Sequence, residues 1–319
     1  MVAPILSLPS ADPIVQALLE HAPVGAKTEP RLAAVLDQAI NNPGKLVRAR
    51  LVHAAAMTHG MDEGRSLQLA TAVEYYHLAS LLLDDLPCMD DSDTRRGRPC
   101  AHLSQGEAPT ILAALALINR AYALAGFALV EEALSVRLSA MACLDACLGV
   151  SGLVGGQARD LAFAESDRSG REIGRIAAAK TGALFWLAVY FPALVAQPDA
   201  LEGRCLKAVC LYWGLAFQAL DDLGDLGVMG ASDTGSKTAG RDRELTRPNL
   251  VHVMGIPATA RRIERLLGQA EAALDQLTAR RSSWNYLRDF HREYFAVNAS
   301  RITRSAVVPP PQVWRSVAV

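Results

Sequence analysis

The sequence predicts an all-α protein, a single-domain bundle of about ten or more helices. Three observations predict it. Ala and Leu abound while aromatic residues make up only 6% of the 319 residues, a composition that favours helices over sheets. Long apolar runs recur, and no strand-like alternation or Asn-Gly hairpin signal interrupts them. Two of those runs, Leu78–Leu83 and Leu211–Leu220, each end in a cluster of aspartates. Hydrophobic residues reach 51%, enough for a large core. No composition shift marks a boundary, so 1–319 reads as one domain, with 1–13 and 303–319 as loosely ordered tails.

In chain order, helical patterns run over about 14–21 and 30–41. Pro43-Gly44 stops the second, and Lys45 opens a helix to about His59, closed by Gly60. Residues 65–85 form the helix that carries the first acid cluster. Pro87 then forces the backbone out of regular helix, so Asp90 approaches from a loop. Residues 95–99 continue as loop. Long helices follow over about 108–134, 136–163 and 170–196, with Asp-Arg-Ser-Gly (167–170) as a break. The helix over 201–226 carries the second cluster. Residues 227–249, rich in Gly, Ser, Thr and charge, read as a mobile loop over a site. Helices over 257–279 and 282–302 precede a Pro-rich, extended tail.

Asp84, Asp85, Asp90 and Asp91 are too close to be buried together without counter-charge. A hard cation such as Mg2+ answers this, because it takes oxygen ligands and bridges carboxylates to phosphates. Asp221 and Asp225 share one helix face at i, i+4, with Asp222 beside them. The competing reading is two solvated helix ends. Carboxylates at a helix C-terminus oppose the macrodipole, and that placement calls for bound cations. Two such ends facing one apolar cavity would suit a diphosphate held by metal ions.

DDLPCMD (84–90) and FQALDDLGD (217–225) resemble the two aspartate-rich motifs of the trans-prenyl diphosphate synthases, in their bacterial form. The similarity extends through GKLVR (44–48), RRGRP (95–99), GGQARD (155–160) and KTG (180–182), and covers roughly residues 30–300. The resemblance implies an isoprenoid-synthase-like bundle around a deep central cavity. It implies Asp84, Asp85, Asp90, Asp221, Asp222 and Asp225 as ligands of about three Mg2+ ions. Arg95, Lys180, Thr181, Gln218 and Lys237 would face an allylic diphosphate. Lys45, Arg48, His77 and Arg96 would bind isopentenyl diphosphate. Gln157 and Asp160 would line the cavity. The implied reaction is head-to-tail (1'-4) prenyl transfer by a homodimer.

In members of that family that stop at fifteen carbons, a bulky aromatic shortly before the first aspartate closes the pocket. Here Ala79 and Ser80, five and four residues before that aspartate, are small, so the resemblance implies a twenty-carbon product, geranylgeranyl diphosphate. Tyr75 and Tyr76, deeper along the helix, are the expected floor. A farnesyl or longer-chain diphosphate synthase is the alternative within the class. Two departures from the family pattern, Leu46 for an arginine and Glu244 for a lysine, keep open a non-catalytic partner subunit. Arg241, Arg243 or Arg247 would compensate for Glu244.

A net charge of −1 provides no global basic field for nucleic acid. The six cysteines form no CxxC pair and read as small buried hydrophobes of a reducing cytoplasm. The N-terminal residues lack the pattern of a signal peptide. The apolar run at 111–130, interrupted by Asn119 and Arg120, reads as a buried core helix and a dimer contact, with no membrane span.

Overall fold

The structure, a computed structural model, describes residues 12–166, 168–225 and 247–296. The segments read as tails and as the loop over the site fall largely outside these residues, as do Lys237, Arg241, Arg243 and Glu244.

The chain is helical almost throughout. The opening helices are α1 (Pro13–Glu20), α2 (Pro30–Ile40), α3 (Val47–Thr58) and α4 (Glu63–Asp84). Their starts follow local chemistry. Pro13 and Pro30 stand in first turns, where a missing N–H costs nothing. Asp12 and Asp62 accept hydrogen bonds from the Ile14 and Arg65 amides. Next come a two-stranded antiparallel hairpin, β1 (Thr94–Arg95) and β2 (Arg98–Pro99), then α5 (Ala101–Gln105) and α6 (Glu107–Ala128). The hairpin stands where the sequence predicts plain loop. Gly97, with φ of 74°, supplies the turn that closes it.

The helix expected over 136–163 is two, α7 (Leu134–Leu148) and α8 (Leu153–Leu161), broken at Gly149–Gly152. The one expected over 170–196 contains a π-helical turn, Ala178–Gly182, between α9 (Gly170–Ala177) and α10 (Ala183–Ala193). Then follow α11 (Ala200–Gly224), α12 (Leu250–Met254), α13 (Ile256–Arg280), α14 (Asn285–Phe290) and a second π turn, His291–Ala296. Asp199 and Glu202 form a reciprocal capping box at the start of α11.

α4 packs most extensively on α6 and also on α3, while α11 packs on α13 and α10. The buried apolar residues form one continuous cluster from Ile14 to Phe295. Phe185, Trp213, Phe290 and Phe295 interlock where α10 and α11 meet the last π turn. There the Trp213 indole donates to His291 Nδ1 at 3.0 Å.

One expectation is corrected. The apolar run of α6 is not wholly core: Ile111, Leu112, Leu115, Tyr122 and Phe127 are exposed. An apolar stripe wider than the face that meets α4 leaves the remainder outside. Glu107–Ala128, Leu134–Leu161 and Gly170–Ala196 are each long and apolar enough to cross a membrane by length and composition.

Candidate active site

α4 and α11 both end in aspartates, and both ends open on one cavity of about 610 Å3. After Asp84 the chain turns back on itself. The Asp90 amide donates to the Asp84 carbonyl at 2.9 Å, and the Ser92 amide to the Asp85 carbonyl at 3.2 Å. This fold-back, forced where Pro87 ends the helix, sets Asp84 and Asp90 side by side in the cavity wall. Asp221 and Asp225 line it as well.

Asp85 and Asp222 do not line this cavity. Asp85 is gripped by Arg95, whose Nε reaches both carboxylate oxygens at 2.9 and 2.8 Å and whose Nη2 reaches Oδ1 at 2.6 Å. Asp222 is fully buried. It accepts from Gln218 Nε2 at 3.0 Å and from the Leu250 amide at 2.6 Å, so it holds the start of α12. As placed, these two acids order the ends of the site, and their neighbours face inward.

Lys180 stands on the first π turn, a local widening of the helix that often marks a functional position. Its ammonium lies 2.8 Å from Asp160 and 3.6 Å from Asp84. Burial works to lower its pKa, but Asp84, Asp160 and Asp90 outweigh burial and hold it above the ordinary lysine value. Thr181 donates to Gln218 at 3.2 Å, so Gln218 is fixed from both ends. Gln157 Nε2 donates to the Met89 sulfur at 3.8 Å. Arg247 pairs with Asp90 at 3.3 Å and also donates to the Met89 carbonyl.

A second group of cations lines the same cavity: Lys45, Arg48 and Arg96, with His77 among them. Arg48 lies over the rings of Phe185 and Phe217, 5.6 and 5.7 Å from their centroids. Its Nη1 is 3.4 Å from His77 Nε2. Burial, then Arg48, Arg96 and Arg95, push the His77 pKa well below its ordinary value, so the ring is neutral. With Nε2 facing a guanidinium donor, the tautomer carries its proton on Nδ1. That Nδ1 and the Arg48 Nε are buried donors without a partner. Unpaired buried donors are costly, and these two stand in the wall of a cavity. An anion is the ligand they fit. Arg96 donates to the Asn42 carbonyl, which ties the hairpin to the α2–α3 turn. Leu46 is buried in the core at 2% exposure, with φ of 54°.

The carboxylate oxygens of Asp84, Asp90, Asp221 and Asp225 are the hard donors that Mg2+ takes. Among the described residues no three His, Cys, Asp or Glu side chains already form a metal cluster. Lys180 and Arg247 stand beside Asp84 and Asp90 instead. The donor chemistry fits the ion, and its ligands would gather on binding.

Of the expected chain-length residues, only Ser80 lines this cavity. Tyr75 is not its floor. Its hydroxyl donates to the Leu18 carbonyl of α1 at 2.5 Å, because nine residues before Asp84 is two and a half turns, the opposite face of α4. Tyr76 meets Tyr122 of α6 edge-on at 5.3 Å, and Ala79 is 1% exposed in the core. Sequence reasoning missed Glu74 and Tyr294, both in the cavity wall. The position of Glu74, one turn before His77 on the same helix, was the available signal.

Two acid-rich helix ends and two groups of cations meet around one cavity of an all-α fold, and the comparisons place the chain among the prenyltransferases. The comparisons name its family. The polyprenyl synthetase family model matches residues 29–281, and the chain belongs to that family. It is 35% identical over 250 residues to the geranylgeranyl diphosphate synthase of Pantoea ananas, covering 78% of this chain and 79% of that protein. It is 36% identical over 243 residues to the farnesyl diphosphate synthase of Escherichia coli, covering 73% of this chain and 78% of that one. The crystal structure of an FPP/GFPP synthase from Zymomonas mobilis superposes with a TM-score of 0.75 at 30% identity, over 88% of this chain and 94% of that one.

Proposed function

We propose that this protein condenses isopentenyl diphosphate with an allylic diphosphate, head to tail (1'-4), in a Mg2+-dependent reaction whose product is geranylgeranyl diphosphate. The observation that carries the reading is the pairing, on one cavity, of Asp84 and Asp90 with Asp221 and Asp225. Lys180 takes the allylic diphosphate, reaching it from its position between Asp84 and Asp160. Arg95, Thr181 and Gln218 support that end, and Lys237, outside the described residues, adds a further cation. Lys45, Arg48, His77 and Arg96 take isopentenyl diphosphate, with the orphaned Arg48 Nε and His77 Nδ1 as its first donors.

Bound Mg2+, held by the acids of both clusters, supplies Lewis-acid stabilisation of the departing diphosphate. The allylic C–O bond breaks and the isopentenyl double bond attacks the allylic carbon. The proton then lost from the new chain goes to the released diphosphate, so no protein base is required. Leu81, Leu153, Ile176, Leu184 and Phe217 wall the cavity and exclude water from the allylic cation.

The twenty-carbon product rests on the small Ser80 side chain in the cavity wall and on the geranylgeranyl synthases among the relatives. Farnesyl diphosphate is the alternative, favoured by the farnesyl synthase relative. We read the chain as one domain and as a homodimer in the cytoplasm. The exposed apolar residues of α6 suit a dimer contact, and the free cysteines, buried except Cys88, suit a reducing compartment.

The test is a product assay with isopentenyl diphosphate, Mg2+ and farnesyl diphosphate, read by mass. A twenty-carbon product that disappears with a chelator supports the reading. A fifteen-carbon limit with shorter starters overturns the product length. No product from any allylic starter overturns the activity.

A further inference from the structure

Glu74 presents an unusual charge problem. It lies on α4 one turn before His77, is 1% exposed, and lines the cavity. Neither carboxylate oxygen has a hydrogen-bond partner. The cations that act on it are Arg48 of α3 and Arg96 of the hairpin. The Ala49 amide of α3 points toward it without closing a hydrogen bond. His77, neutral, shares its helix and its wall. An ionised carboxylate left unpaired here would be destabilised by burial. It would also repel the diphosphate that the neighbouring donors are set to receive.

We infer that Glu74 is a proton-linked positioning residue of the isopentenyl diphosphate subsite, taking up a proton as the diphosphate binds. The inference rests on the proposed function of the same site. Its physical course is simple. In the empty cavity, the charges of Arg48 and Arg96 favour an ionised Glu74 against burial. An arriving diphosphate claims those two cations, and its own negative charge falls on the carboxylate's doorstep. Both changes favour the protonated acid. A neutral Glu74 then donates or accepts a hydrogen bond without repelling the substrate. Burial, offset in part by Arg48 and Arg96, already pushes its pKa up to about 7, where such a change is open near neutral pH.

The experiment compares the full-length enzyme with Glu74→Gln, which keeps shape and hydrogen bonding but cannot ionise. The first readout is the KM for isopentenyl diphosphate against pH, with kcat followed separately. The wild-type KM is expected to rise about 3- to 10-fold from pH 6 to 8 beyond the titration of the substrate itself, and to do so far less in Glu74→Gln. The second readout is calorimetric binding of isopentenyl diphosphate near pH 7 in buffers of different ionisation enthalpy. The wild type should take up more protons than the variant, since His77 and the ligand titrate alike in both. Equal proton uptake, or a KM raised in the variant by the same factor at every pH, would overturn the inference and leave Glu74 a fixed structural partner of Arg48 and Arg96. If the variant does not fold, a wild-type KM with no pH dependence beyond that of the substrate overturns it alone. A wild-type enzyme without product would instead sink the proposed function.

Discussion

A Cβ on Gly156 would lie 2.6 Å from the Lys180 amide nitrogen, closer than side-chain carbons approach. α8 therefore rests directly on the π turn that presents Lys180. On the other side, a Cβ on Gly214 would lie 2.5 Å from Gly182 Cα, so α11 presses on the same turn. Backbone against backbone on both flanks fixes where the lysine stands.

Gly156→Ala should displace Lys180 and strain the contact. Overpacking of this kind costs about 1–3 kcal/mol, and a chain this long should lose roughly 1.5–4.5 °C in Tm. Activity should fall further than stability, because the ammonium moves away from Asp84 and Asp160. Thermal unfolding and kcat on the same preparation check both. A variant with full activity would show that the close approach does not position Lys180.

Lys180→Met leaves Asp84 and Asp160 facing each other without their shared cation. The allylic kcat/KM should drop by about 100-fold or more, consistent with loss of a charge at the leaving group. Adding Asp160→Asn to Lys180→Met should recover stability but not activity, because it removes a buried charge and supplies no cation. Parallel stability and steady-state measurements on the single and double variants separate the two roles.

Ser80→Phe places a ring in the cavity wall and should shorten the longest product by one prenyl unit. Ala79→Tyr is a different experiment. Ala79 is 1% exposed, and a tyrosine there should cost about 1–3 kcal/mol through overpacking. Product mass for Ser80→Phe, and expression and Tm for Ala79→Tyr, distinguish a plug from a packing fault.

Glu202 tests acid stability away from the site. Arg281 holds its pKa down against burial, helped by the Trp284 indole, to about 2. The indole donates to Glu202 at 3.0 Å. A carboxylate depressed in the folded state adds stability that is present above its unfolded pKa and lost as pH falls through the folded one. The wild type should therefore lose this contribution between about pH 4.5 and pH 2. Glu202→Gln should be less stable at neutral pH, and the two should converge in acid. Denaturant midpoints against pH read the difference.

Much of the site was legible because its chemistry sits at helix ends that the sequence marks plainly. Asp84 and Asp221 close apolar runs, Pro87 ends the helix between Asp84 and Asp90, and Arg48 and His77 follow from local motifs. The four cavity-lining aspartates came from this order, while their neighbouring cations, Arg48 and His77 among them, came from the family resemblance. The sequence also implied an all-α fold, since long periodic runs without strand alternation leave few alternatives.

Which way each side chain points was a tertiary matter. Asp84 and Asp85 are adjacent, yet one faces the cavity and the other is held by Arg95. Asp221 and Asp222 divide in the same way, with Asp222 turned to the start of α12. Tyr75, expected as a floor, reaches α1 instead. A helix turns its side chains by about 100° per residue, so a motif names a segment and only packing chooses the face. Glu74 makes the point most sharply. In the sequence it is an ordinary glutamate on a helix, and its missing partners exist only once α3 and the hairpin close over it. Residue types and their spacing set the chemistry available to this protein, and the distances between remote helices decided which of those residues meet.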